Sequence, residues 1–132
     1  NGASFRMSAE LDNIDLAYGE ARRLIAERGL EQGGFPALLV LREALSNAVI
    51  HGSGRDAAKT VYCDLSFQGE LLTISVEDEG EGFSWRGCQK TPPRPDAEGG
   101  RGVCIMQSYS QKMNFNDQGN KVSLDIMCKG MI

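Results

Sequence analysis

Two short runs of alternating residues constrain the fold of this chain more than any other feature. Val61, Cys63, Leu65 and Phe67 alternate with polar residues, and after the connection Gln68-Gly69-Glu70 the alternation resumes at Leu72, Ile74 and Val76. Strand side chains point to opposite faces in turn, so the pattern is an antiparallel hairpin with one apolar face that other elements must cover. The next residue in that inward row is Asp78. A carboxylate on the core side of a strand costs free energy unless something bonds to it. Asp78 therefore either begins the turn Asp78-Glu79-Gly80-Glu81-Gly82 or is a buried group with a ligand to meet.

The cover lies upstream. Asp12 or Asn13 is placed to cap a helix that runs to about Arg28 with Ile14, Ala17, Ala21, Leu24 and Ile25 as its apolar stripe. Gly29 ends it, and Gly33-Gly34 separates it from a second helix that opens at Pro36 and stops at Gly52-Ser53-Gly54. In the second helix Leu38, Leu41, Leu45, Ala48 and Val49 form one line. Glu43, Asn47 and His51, at intervals of four, form another, roughly 150° away at ~100° per residue. One side can hold a core while the other presents a carboxylate, an amide and an imidazole in a row. A solvated face accounts for that row as readily as a site does, so the choice depends on what the rest of the chain brings to it.

Ser4–Ser8 reads as a short edge strand. Gly82–Gly99, with Pro92, Pro93, Pro95, Trp85, Arg86, Lys90 and Arg94, reads as a loop of the kind that serves as a lid. Gly99-Gly100-Arg101-Gly102 leads into a helix expected over Val103–Ser110. Free N–H groups at a helix start, with no Cβ to hold a ligand off, suit phosphate, and Arg101 adds a guanidinium. Met113–Asn116 and Lys121–Cys128 form a closing hairpin around Asp117-Gln118-Gly119-Asn120, with Val122, Leu124 and Ile126 inward. The 132 residues suffice for one domain, over 4–132, with a core that needs no disulfide or metal. A net charge of −4 offers no electrostatic attraction to nucleic acid or an anionic membrane. Cys63, Cys88, Cys104 and Cys128 contain no C-x-x-C pair, which suits thiols in a reducing cytoplasm rather than a disulfide framework or a zinc site. There is no P-loop and no G-x-G-x-x-G, and the order of elements is not an alternating βαβ series.

In order and spacing, three segments resemble the boxes of the Bergerat-fold ATP-binding superfamily, which includes gyrases, the heat-shock chaperone ATPase, histidine kinases and mismatch-repair ATPases. Glu43-Ala44-Leu45-Ser46-Asn47-Ala48-Val49-Ile50-His51-Gly52 resembles the N box. Asp78-Glu79-Gly80-Glu81-Gly82-Phe83 resembles the G1 box, and Gly99-Gly100-Arg101-Gly102-Val103-Cys104-Ile105 the G2 box. The N-A-x-x-H-G ending, the short lid and Gly-Gly-Arg-Gly are most similar to the anti-sigma factor serine kinases of bacterial partner-switching systems. The fold this implies is a two-layer α/β sandwich, a mixed and mostly antiparallel sheet of about five strands with three or four helices on one face.

The resemblance also implies roles. Asn47 would coordinate Mg²⁺, and Asp78 would accept a hydrogen bond from the adenine amino group of ATP. Gly80 and Gly82 would let the backbone approach base and ribose, while Gly100, Arg101 and Gly102 would hold phosphates. Glu43 would sit near the γ-phosphate and take the proton of the attacking hydroxyl. His51 belongs to the motif as structural support. The function implied is a cytoplasmic, homodimeric protein-serine kinase that phosphorylates an anti-sigma-factor antagonist and sequesters a sigma factor. Two other functions stay open: an ATP-binding partner-switch module without kinase activity, and the catalytic domain of a sensor histidine kinase. The second is disfavoured by the short lid and by a length that leaves no room for phospho-accepting helices.

Overall fold

The computed structural model describes residues 2–54, 56–80 and 100–128, with the backbone alone at 51 and 100–103. Five strands form one sheet in the order β1-β2-β3-β5-β4. They are β1 (Gly2–Ser8), β2 (Thr60–Gln68), β3 (Leu71–Glu77), β4 (Lys112–Phe115) and β5 (Lys121–Met127), and every pairing is antiparallel. The expected central hairpin is β2–β3, in which Cys63 faces Val76 and Leu65 faces Ile74. Gly69 turns it with φ +61, a conformation that costs glycine nothing. The inward rows Val61-Cys63-Leu65-Phe67, Leu72-Ile74-Val76 and Val122-Leu124-Ile126 are buried, and they share one core with the helices. Cys63 and Cys128 are buried free thiols, and burial pushes Cys63 up to about 12 and Cys128 to about 11.

Helix α1 (Leu11–Glu27) buries Ile14, Ala17, Ala21 and Ile25. Its N-cap is Glu10, with no side-chain cap, and not Asp12 or Asn13. The Asn13 amide instead donates back to the Ser8 carbonyl (2.9 Å) and hydroxyl (3.0 Å), tying the helix to the end of β1. At the other end the Gly29 N–H donates to Ala26 and the Leu30 N–H to Ile25, with Gly29 at φ +71. This is the Schellman arrangement, and Leu30 and Ile25 are both buried.

Helix α2 (Phe35–Ser46) follows at once, with Pro36 in its first turn. It does not continue as an α-helix to Gly52. Residues Asn47–Gly52 form a π-helix, closed by the Ser53 N–H donating five residues back to the Ala48 carbonyl at 2.9 Å. The expected row of Glu43, Asn47 and His51 is thus interrupted. Glu43 and Asn47 are one α-turn apart, but the wider π-turn moves the backbone of position 51 off that row. Helix α3 spans Gly100–Tyr109, starting earlier than the sequence pattern suggested, so Gly100, Arg101 and Gly102 lie in its first turn.

Candidate functional site

The two central glycines of the site are there because two backbones and a carboxylate meet. Asp78 follows β3 directly in the inward row and is 9% exposed. Its carboxylate lies against Gly52, where a Cβ would stand 2.2 Å from Oδ2 and 2.6 Å from Oδ1. A Cβ on Gly80 would stand 1.9 Å from the Gly52 carbonyl oxygen. Neither approach is open to a residue with a side chain, so the π-segment and the turn after β3 close on one another only with glycine at both positions.

Within that contact, Asp78 Oδ1 accepts a hydrogen bond from the Gly80 N–H at 2.7 Å. Its pKa is raised. Burial is the largest cause and the neighbouring Glu77 adds to it, while the Gly80 N–H and Lys59 pull the other way. The Asp78 N–H donates to the Asn120 carbonyl at 2.9 Å, and the Asp78 carbonyl accepts from Asn120 Nδ2 at 3.1 Å. The far side of the turn is held by Gln118 Nε2, donating to the Gly80 carbonyl at 3.2 Å.

A cavity opens beside Asp78, lined on the helical side by Ala44, Asn47, Ala48 and Gly52 and on the sheet side by Val76 and Asp78. Met106 of α3, with Phe115 and Gly119–Val122 of the last hairpin, forms the remaining wall. Its enclosed volume is about 30 Å³, room for about one water. Asn47 is half-buried, and its Nδ2 is buried with no hydrogen-bond partner among the described residues. Leaving a buried amide unpaired costs about 1–3 kcal/mol, so a group that pairs with Asn47 recovers that cost. A half-turn of χ2 exchanges the amide's nitrogen for its oxygen, so the same side chain can offer an oxygen to a cation. No group of three or more His, Cys, Asp or Glu residues among the described residues is placed to hold a metal. Asn47 and Asp78 bring side-chain oxygen donors to the cavity from its helical and sheet sides.

The structure brings Asn47, Asp78 and Gly80 to one place. Glu43, half-buried one turn before Asn47, does not line the cavity. Gly100, Arg101 and Gly102 lie in the first turn of α3, where a helix leaves its first four N–H groups without intrahelical acceptors. Gly82 and the lid, with Trp85, Arg86, Lys90 and Arg94, lie outside the described residues, as do the side chains of Arg101 and His51. Sequence reasoning gave Gly52, Asn120 and Gln118 places at a helix stop or in a turn, and no part in the site. Gly52 had a signal, since a glycine that stops a helix directly after a polar row invites the question of what lies against it. Asn120 and Gln118 had none beyond their place in a turn.

This combination defines a class: a two-layer α/β sandwich with a carboxylate-bearing cavity between its sheet and its helices. The chain belongs to the histidine kinase-like ATPase domain family, whose profile matches residues 7–126. It is similar to the anti-sigma F factor of Clostridium perfringens strain SM101, 31% identical over 93 residues that make up 67% of this chain and 66% of that protein. It is also similar to the anti-sigma F factor of Anoxybacillus flavithermus, 28% identical over 86 residues, 62% of this chain and 59% of that protein. The chain thus spans roughly three-fifths to two-thirds of these relatives. Among solved structures it resembles the histidine kinase domain of the blue-light activated histidine kinase from Erythrobacter litoralis EL346. The TM-score is 0.53 at 27% identity, covering 74% of this chain and 46% of that one. No helix among the described residues is long and apolar enough to cross a membrane.

Proposed function

We propose that this domain binds ATP with Mg²⁺ and acts as an anti-sigma factor that phosphorylates a serine of an antagonist protein. The observation that carries the reading is Asp78: a buried carboxylate with a raised pKa, facing a cavity and bonded within the protein mainly to Gly80. An adenine amino group is a donor of the right kind to meet it. Gly80 and, beyond the described residues, Gly82 admit the base and ribose to the backbone. The first turn of α3, with Gly100, Arg101 and Gly102, receives phosphate oxygens on free N–H groups. The Asn47 amide would offer its oxygen to Mg²⁺, which would supply charge neutralisation for the phosphates.

Glu43 lies farther along the helix from Gly52, on the order of 10 Å at ~1.5 Å per residue. A nucleotide whose base meets Asp78 and whose phosphates run toward the start of α3 would extend along α2 toward Glu43. There the serine oxygen attacks the γ-phosphorus and the bond from that phosphorus to the β-phosphate oxygen breaks. ADP leaves, and Glu43 accepts the serine proton. The partners are an antagonist and a sigma factor, with the protein as a homodimer in the cytoplasm. Similarity to proteins named anti-sigma F factor supports this choice.

Incubation with Mg·ATP and candidate antagonists tests the reading, with an acid-stable phosphoserine on the antagonist as the expected product. Tight ATP binding with no transfer to any antagonist would instead support a binding module. An acid-labile phosphohistidine would support the sensor-kinase reading, which the likeness to the Erythrobacter domain favours.

A further inference from the structure

We infer that Asn120 is a positioning residue for base recognition, held in its working orientation by Asn116, so that the last hairpin determines how strictly the cavity selects adenine. The inference rests on the ATP reading above and adds to it a residue pair that the three sequence boxes do not contain.

The orientation follows from donor and acceptor chemistry alone. Asn116 Oδ1 accepts the backbone N–H groups of Gly119 (2.8 Å), Asn120 (3.0 Å) and Lys121 (3.2 Å). Three donors converge on that atom, so it must be the oxygen, and Nδ2 points the other way. There Nδ2 donates to Asn120 Oδ1 at 2.6 Å. That contact in turn requires the Asn120 amide to present its own Nδ2 to the Asp78 carbonyl at 3.1 Å, with the Gly80 carbonyl 3.5 Å away. The Asn120 backbone carbonyl simultaneously accepts the Asp78 N–H. Asp78 is thus held at both of its peptide groups by one residue, and that residue is held by another. Nothing in the relay consumes the Asp78 carboxylate, which stays turned to the cavity with Gly80 as its partner. A carboxylate that discriminates between an amino and a carbonyl group must be fixed to a fraction of an ångström, and this relay supplies the fixation.

Two isosteric substitutions test it. Asn116→Asp keeps an acceptor for the three N–H groups but removes the donor to Asn120. The Asn120 amide then turns over and sets its oxygen against the Asp78 carbonyl. Asn120→Asp removes the donor to Asp78 directly. Affinity is measured by calorimetry for ATP and for inosine triphosphate, which carries a carbonyl where adenine has its amino group, and melting temperatures are recorded alongside. The two nucleotides have the same phosphates, so the added negative charge cancels in the ratio of their affinities. The wild type is expected to prefer ATP, and both variants to lose about tenfold of that preference, the weight of one or two hydrogen bonds, while still melting cooperatively. Equal weakening of both nucleotides, or an unchanged ratio, would overturn the positioning role and leave the adenine reading standing. A wild type that binds both nucleotides alike would overturn the adenine reading and this inference together.

Discussion

Asp78 destabilises the empty protein. Its raised pKa means that the folded state holds the proton more tightly than the unfolded chain does. Stability from this group is therefore present below the unfolded carboxylate range, near ~3.9, and is lost as pH rises through the higher folded value. At neutral pH the charged carboxylate is kept at a net cost. Asn can still accept the Gly80 N–H without carrying charge, so Asp78→Asn is expected to raise the melting temperature of the nucleotide-free protein at pH 7. The gain should shrink toward zero as the pH falls to about 4, and the same variant should lose adenine-dependent binding. Melting curves across pH check this. A variant less stable than wild type at pH 7 would mean that the charge is compensated. Gly52 offers a second test at this scale. With Asp78 atoms 2.2–2.6 Å from its Cβ position, Gly52→Ala forces the π-segment and the turn apart. It should cost about 1–3 kcal/mol of stability, as overpacking does, and impair nucleotide binding. Denaturant titration measures the first and calorimetry the second.

At the scale of elements, the π-helix separates what the sequence expressed from what it could not. The β2–β3 hairpin and the inward parity of Asp78 were legible because strand periodicity is two and a one-residue error would have placed every apolar side chain outward. The stripe of α1 and its stop at Gly29 were legible for the same kind of reason. Its cap was not, because a short amide such as Asn13 can as well hold the preceding strand's carbonyl as the helix's own N–H groups. The change from α to π after Ser46 left no mark in the spacing, since Glu43 and Asn47 fit an α-helix. The cause lies in tertiary contact, where Gly52 must reach Asp78 from a distant part of the chain. Asn120 was legible as a turn residue and Asn116 as the end of a strand, and both were silent about what they grip. The division between α2 and the π-segment also separates two expected phenotypes. Glu43, on α2 and away from the cavity, should tolerate Ala with ATP affinity nearly unchanged while phosphotransfer falls by at least about a hundredfold, the range of general-base loss. Filter-binding and transfer assays on Glu43→Ala check this, and a parallel loss of binding would remove the distinction.

The whole molecule is an acidic chain, net charge −4, proposed to hold a polyanion. Long-range attraction cannot supply the affinity, so on the proposed reading local compensation would come from the start of α3, Arg101 and a divalent cation at Asn47. Five antiparallel strands and the helices on their inner face share one core, and that core lets the ligand stabilise the fold as well as occupy it. Binding at a hundred times the dissociation constant adds about 2.7 kcal/mol. The central claim is that a magnesium nucleotide occupies the space between Asp78 and Asn47, and calorimetric titration of ATP tests it most directly. The titration is run with and without Mg²⁺, on the wild type and on Asn47→Ala. The account predicts wild-type binding that strengthens at least about tenfold with Mg²⁺, and loss of that Mg²⁺ dependence in Asn47→Ala. Absence of ATP binding by the wild type, or the same Mg²⁺ dependence in both proteins, would contradict it.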